Sequence, residues 1–192
     1  MQVGYLTENE LKTIGLKEYG YDVLIDRYAL IISPEKIVIG NHVRVDAFAT
    51  LNGNITLGNY IHISQFCGLY GGDAGIIMDD YSGLSSKCAV YASSDDYSGK
   101  SMTNPTVPME FKPEFINAPV RIHKHVIVGC GSVILPGVDI GEGSAIGSMS
   151  LCNHNIDSWY IYAGCPAKKI KKREKDIITL CNNLNERAEH EI

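Results

Sequence analysis

Between Ile122 and Cys152 a bulky aliphatic residue returns at every sixth position: Ile122, Val128, Ile134, Ile140 and Ile146. Four places after each sits a smaller residue, Val126, Ser132, Val138, Ser144 and Ser150. An α-helix repeats every 3.6 residues and a strand every 2, so neither produces a period of six. A coil with a triangular cross-section does. Each side sends one large side chain into the core and keeps a compact one near the corner. Hexapeptide repeats of this kind mark β-helices.

The same series begins much earlier, at Ile25, Ile31, Ile39, Val45, Leu51, Leu57, Ile63, Leu69, Met78, Leu84 and Val90. With the later stretch, Cys152 included, this makes 17 positions, 15 of them Ile, Leu or Val. Each such side chain, fully buried, contributes about 1.5–3 kcal/mol. Two short interruptions, at Ser33-Pro34-Glu35-Lys36 and Gly71-Gly72-Asp73-Ala74-Gly75, contain turn formers and predict corner bulges. A third is large: from Asp95 to about Asn117 the pattern vanishes, with Pro105, Pro108, Pro113 and Pro119 within or just beyond it. A structureless stretch of that length in a compact domain is often functional. The hexads resume in phase at Ile122, and the coil is expected to end near Cys152.

Flanking segments read differently. Thr7-Glu8-Asn9-Glu10 predicts a capping box opening a short helix that buries Leu11 and Ile14. Asp157 to Lys168 reads as an extended segment with a turn. From about Arg173 a final helix is predicted, with Ile177, Ile178, Leu180, Cys181 and Leu184 on one apolar stripe packed against its own or a neighbouring coil. The division is thus a helical segment over 1–20, a β-helix over 21–156 carrying the loop 95–117, and an extended segment and helix over 157–192.

Composition narrows the function. The chain has 192 residues, 17 Lys plus Arg and 22 Asp plus Glu, which argues against a general nucleic-acid binder. A local basic cluster, Lys168 to Lys175, is the exception. There is no signal-peptide pattern and no apolar run of membrane-spanning length. Cys67, Cys88, Cys130, Cys152, Cys165 and Cys181 form no CxxC pair; Cys67, Cys88 and Cys152 fall on inward positions as small core residues. A cytoplasmic protein is expected.

The Ile-Gly hexads, Ile134-Leu135-Pro136-Gly137-Val138, Ile146-Gly147 and Tyr162-Ala163-Gly164-Cys165-Pro166-Ala167-Lys168 resemble the hexapeptide-repeat acyltransferases. That resemblance covers about Ile25 to Lys171. It implies an all-β fold, a left-handed parallel β-helix with an inserted loop and a C-terminal α-helix, assembled as a homotrimer with acyl-coenzyme A sites between adjacent coils. Leu84-Ser85-Ser86, Val90-Tyr91, Asp95-Asp96-Tyr97-Ser98-Gly99 and Asp157 to Tyr162 further resemble the N-acyltransferases of nucleotide-linked 4-amino-6-deoxysugars of the dTDP-anthrose type. A zinc-dependent carbonic anhydrase shares the fold, but its HxxxxH pair is missing here, so no metal is expected.

Acyl transfer from a thioester needs an acceptor at near-attack distance, a route for its proton and donors for the oxyanion. Relatives that acylate a hydroxyl carry a His at the exit into the loop, where this chain has Asp95. A neutral amine already has a lone pair and needs a base less than a hydroxyl does, so Asp95 favours an amino acceptor. The resemblance places Ser85 beside Asp95 near the thioester, and Ser85 points out of the core. The co-substrate, acetyl-CoA or another acyl-CoA, is assigned to Gly129, Cys130, Gly147, Ser148, Asn153, His154, Lys168 and Lys171. Lys172, Arg173 and Lys175 are read as a solvated helix start. Asp96 and His125 are candidate contacts to a dTDP-type aminosugar, against plain readings as an Asx-turn and a surface imidazole. Two alternatives stay open: a sugar O-acetyltransferase using His125 as base, and a silent trimerisation scaffold.

Overall fold

A computed structural model describes residues 4–190. The hexads fold into three flat faces of parallel strands. The first stacks Leu24–Ile25, Arg44–Val45, His62–Ile63, Gly83–Leu84, Ile127–Val128 and Ala145–Ile146. The second stacks Leu30–Ile32, the first part of Thr50–Leu57, the first part of Gly68–Met78, Ala89–Tyr91, Val133–Ile134 and Leu151–Cys152. The third stacks Glu18–Tyr19, Ile37–Ile39, the ends of the two long strands, Val120–Ile122 and Asp139–Ile140.

Register places each bulky hexad residue directly over its counterpart one coil away, as in Ile63–Leu84–Val128–Ile146 and Leu69–Val90–Ile134–Cys152. All 17 predicted positions except Ile31 are buried; Ile31, near the N-terminal end of the stack, is half-buried. The compact positions are buried too. Ser132, Ser144 and Ser150 donate their hydroxyls to the carbonyls of Gly147, Gly141 and Gly147 at 3.0, 2.7 and 2.6 Å. A small hydroxyl there satisfies a corner carbonyl that the core would otherwise strand.

The corners explain the residue before each compact one. His42, Phe48, Tyr60, Phe66, Tyr81 and His125 all take left-handed backbone, with φ between 54 and 61°. That conformation costs a non-glycine residue roughly 1 kcal/mol. Ring stacking between coils offsets it: His42–Tyr60, Tyr60–Tyr81 and Tyr81–His125 have centroids 4.5, 4.9 and 5.3 Å apart, and Phe48–Phe66 5.1 Å.

Both short interruptions are corner bulges. Ser33 (φ 56°) leads into a 3₁₀ turn, Pro34–Lys36. At the other, Gly68–Met78 shifts register against Gly53 and Ile55, and a Cβ on Gly71 would lie 2.1 Å from the Asn54 carbonyl oxygen, so only glycine fits.

The coil does not end at Cys152. Ile156 bridges Ile140 in parallel, and Tyr160–Ala163 pairs in parallel with Ala145–Ile146, placing buried Tyr162 over Ile146. The step from Cys152 to Ile156 is four residues rather than six, which breaks the phase, and Tyr162 replaces the usual aliphatic. Trp159 (φ 63°) holds the corner between them. The chain then returns antiparallel as Lys168–Lys172, after a cis Cys165–Pro166 bond.

Helix α1, Glu8–Ile14, carries the predicted capping box: Thr7 N–H donates to Glu10 Oε2 at 2.7 Å and Glu10 N–H to Thr7 Oγ1 at 3.3 Å. Its Leu11 is buried. Helix α2, Asp176–His190, starts three residues later than predicted. Its stripe is only partly used. Cys181 is buried and Tyr81 donates to Asn185 at 2.5 Å, whereas Leu180 is 64% exposed and Ile178 and Leu184 also face out. No helix among the described residues is long and apolar enough to cross a membrane.

Candidate active site

The long insert is closed by a stem, Ser93–Ser94 pairing antiparallel with Ile116–Asn117. Asp95 is the first residue past that stem. Its Oδ2 accepts the Asn104 N–H at 2.8 Å. Its Oδ1 is buried and forms an ion pair with Lys112 Nζ at 2.5 Å. Lys112 is 5% exposed, and its Nζ also donates to the Asn104 carbonyl at 3.3 Å and lies 4.7 Å from the Phe115 ring centre. The Lys112 ammonium, and after it the Asn104 N–H, hold the Asp95 carboxyl below the usual carboxylate range. Around it is an open cavity of about 450 Å³ lined by Tyr70, Tyr91, Pro105, Lys112 and Phe115.

Asp96 faces elsewhere. Its carboxylate accepts the N–H groups of Ser98, Lys100 and Ser101 at 2.8, 2.8 and 3.1 Å and the Ser98 hydroxyl at 3.0 Å. Those donors, Ser98 first, push its pKa down to about 2. It caps a turn of the loop, and its acceptor capacity is taken up there.

Ser85 lies half-buried on the outer side of the first face, in a second cavity of about 530 Å³ that also touches Tyr60, His62, His125, Arg173 and Ile177. Within this one chain, Ser85 and Asp95 therefore line separate cavities. His125 is not a surface imidazole. It is 8% exposed, stacked on Tyr81 and tilted 6.5 Å from Trp159, and burial lowers its pKa. The unfolded chain then takes up this proton first. The stability His125 contributes is present above about pH 6.5 and is lost as pH falls from there through the lowered folded value. His125→Phe should flatten that part of the melting temperature–pH curve below about pH 6.5, measured against wild type.

The residues assigned to the coenzyme form one strip, with Asn153 and His154 apart from it. Gly129 abuts Gly147 in the next coil, and Gly147 abuts Ala163, which pairs with Lys168; exposed Cys130 and Ser148 follow the two glycines. A Cβ on Gly129 would lie 2.5 Å from Ser148 N, and one on Gly147 2.8 Å from the Ala163 Cβ. Both glycines are thus needed for coil-to-coil contact, whatever lies outside. Lys171 is exposed opposite Ile161. Asn153 and His154 sit past the second face, bonded to each other at 3.0 Å.

Comparison with known proteins places the chain. Residues 119–154 match the family described as bacterial transferase hexapeptide (six repeats). The dTDP-4-amino-4,6-dideoxy-D-glucose acyltransferase of Escherichia coli is 38% identical over 181 residues, 93% of each chain. The chain belongs to the hexapeptide-repeat acyltransferases. This hexapeptide-repeat acyltransferase also superposes on AntD, an N-acyltransferase from Bacillus cereus solved with dTDP and 3-hydroxybutyryl-CoA, with TM-score 0.95 and 43% identity over 97% of this chain and 98% of that one. A serine variant of AntD holding dTDP-4-amino-4,6-dideoxyglucose and coenzyme A gives TM-score 0.95 and 42% identity over 97% and 100% of the two chains. The acetyltransferase domain of PglB from Neisseria gonorrhoeae, at 17% identity and TM-score 0.57 over 77% of this chain and 57% of that one, shares the fold.

Two residues of this acyltransferase escaped the sequence reading. Arg173, read as part of a solvated helix start, instead reaches into the corner, where its Nη1 donates to the carbonyls of His125, Gly143 and Ser144 at 2.9, 3.1 and 3.1 Å. Arg173→Met should cost about 2–3 kcal/mol by stranding these acceptors, seen as a lower denaturation midpoint than Arg173→Lys gives. Nothing periodic marks Lys112 in the sequence; its signal there is a lone cation flanked by Phe111, Pro113 and Phe115.

Proposed function

We propose that the protein transfers an acyl group from acyl-coenzyme A to the 4-amino group of a dTDP-linked 4-amino-4,6-dideoxyhexose. The observation that carries this is the likeness along nearly the whole chain to the E. coli dTDP-4-amino-4,6-dideoxy-D-glucose acyltransferase. Support for the two catalytic assignments comes from AntD, studied as variants at a serine and an aspartate ten residues apart, the spacing of Ser85 and Asp95 here.

In this reading the acceptor amine attacks the thioester carbonyl carbon. The C–N bond forms, the tetrahedral intermediate collapses and the C–S bond breaks. Asp95 accepts the proton the amine loses, and the departing thiolate takes it up as CoA–SH. Gly129, Cys130, Gly147, Ser148, Asn153, His154, Lys168 and Lys171 flank the coenzyme, the two lysines toward its phosphates. His125, buried and stacked, is poorly placed to act as the base that acylation of a hydroxyl needs. Since Ser85 and Asp95 line separate cavities of one chain, the site is completed between subunits of a homotrimer, and sedimentation at three times the 21.1 kDa chain mass checks that assembly. The product serves surface polysaccharide synthesis in the cytoplasm.

The test is mass spectrometry with acetyl-CoA and 3-hydroxybutyryl-CoA, each offered dTDP-4-amino-4,6-dideoxyglucose and its 4-hydroxy counterpart. Acylation of the amine alone is expected. Acylation of the hydroxyl counterpart would overturn the reading, and coenzyme binding without any product would favour a silent scaffold.

A further inference from the structure

Resting on the role proposed for Asp95, we infer that Lys112 is a positioning residue for acyl transfer, anchoring the Asp95 carboxylate in one orientation at the cavity where the acceptor amine must sit. The geometry is a closed triangle. Lys112 Nζ is 2.5 Å from Asp95 Oδ1 and 3.3 Å from the Asn104 carbonyl, and the Asn104 N–H reaches back 2.8 Å to Asp95 Oδ2. Lys112 thus grips the carboxylate directly and also grips the residue that holds its other oxygen.

Asn104 needs that grip. Its backbone is left-handed, at φ 91°, and its side chain accepts the Thr106 N–H and hydroxyl at 2.9 and 2.8 Å. The triangle, with this Asx turn, keeps a strained amide aimed at Asp95. Lys112 itself is buried, and a buried ammonium persists only when paired. Oδ1 is covered, so the exposure left to the Asp95 side chain lies on its other atoms, and Oδ2 accepts one hydrogen bond with a lone pair to spare. That lone pair is the one available to an acceptor N–H. The other titratable groups near this pair do not compete for it. Tyr70 and Tyr91 line the cavity wall, Asp73 lines an adjoining cavity with Lys112 and is paired to Lys36, and Asp96 is turned into its own loop.

A double-mutant cycle with the full-length protein tests the inference. Lys112→Met should lower kcat for amine acylation about tenfold, leave KM for the nucleotide sugar within about twofold, and be largely rescued by Lys112→Arg. In an Asp95→Asn background, Lys112→Met should add no further loss. Losses that multiply, or an unchanged kcat in Lys112→Met, would overturn it. Wild-type turnover in Asp95→Asn would instead remove the role of Asp95 itself, and this inference with it. A second readout needs no turnover: in ¹³C-aspartate-labelled protein, the Asp95 carboxyl should titrate lower with Lys or Arg at position 112 than with Met. The same midpoint in folded Lys112→Met protein, or a normal midpoint in Lys112→Arg should the Met variant not fold, would also overturn it.

Discussion

Asp95→Asn is expected to slow acylation of the amine about 10²-fold while leaving coenzyme A affinity within about twofold. A positioned base contributes roughly 10²–10⁴-fold, and an amine, which needs its proton removed only late, belongs at the low end. Asn keeps the size of the side chain and one acceptor oxygen but loses the charge proposed to receive the proton. Because the strip proposed to hold the coenzyme, around Gly147 and Lys168, is built from other coils, binding of the donor should hardly notice. Asp95 is held below the usual carboxylate range, so it stays ionised as pH falls through that range and protonates only below it. Loss of rate in mildly acidic solution should therefore follow protonation of the acceptor amine and persist in the Asn variant. Steady-state kinetics with calorimetric titration of coenzyme A separates the two effects. Equal turnover in Asp95→Asn and wild type would remove Asp95 from the mechanism.

Val128→Asp should abolish the folded coil. Val128 is fully buried, stacked between Leu84 and Ile146 in a column with no cation or donor to meet a carboxylate. An unpaired buried charge and a lost aliphatic side chain each cost about 3–5 kcal/mol, and their sum reaches the roughly 5–15 kcal/mol that holds a typical domain folded. The expected result is loss of the cooperative melt and an insoluble product. Ile31→Asp, at the half-buried end of the series, should be tolerated far better. If both variants melted like wild type, the column would not be what holds the coil.

The contrast between those two positions shows what sequence could reveal. Every inward hexad position has the same neighbours above and below, so the same requirement recurs and becomes visible as a period. Where the requirement changes, the signal fades. Cys152 to Ile156 is a short step, and Tyr162 is an aromatic in an aliphatic column, so the last coil was read as an extended tail. Gly129 and Gly147 were assigned to the coenzyme, yet each is also required by the adjoining coil. His125 occupies a ring-stacked corner, a role that emerges only when Tyr81 and Trp159 are seen beside it. In the insert nothing repeats. Asp95 was legible because it stands at a fixed distance from Val90, whereas Lys112 gains its meaning from a fold of the loop that brings it back across 17 residues.

The stem at Ser93–Ser94 and Ile116–Asn117 has an evolutionary consequence. The Ala118 N–H donates to the Ala92 carbonyl at 2.9 Å, so the two ends of the insert meet, and the coil resumes at Ile122 in the phase it left at Val90. What lies between them can be lengthened, shortened or replaced without disturbing a single inward column. If the insert holds the acceptor, as the role proposed for Asp95 requires, a lineage can trade one acceptor for another by rewriting a cassette of about two dozen residues, while the solenoid beneath is inherited intact.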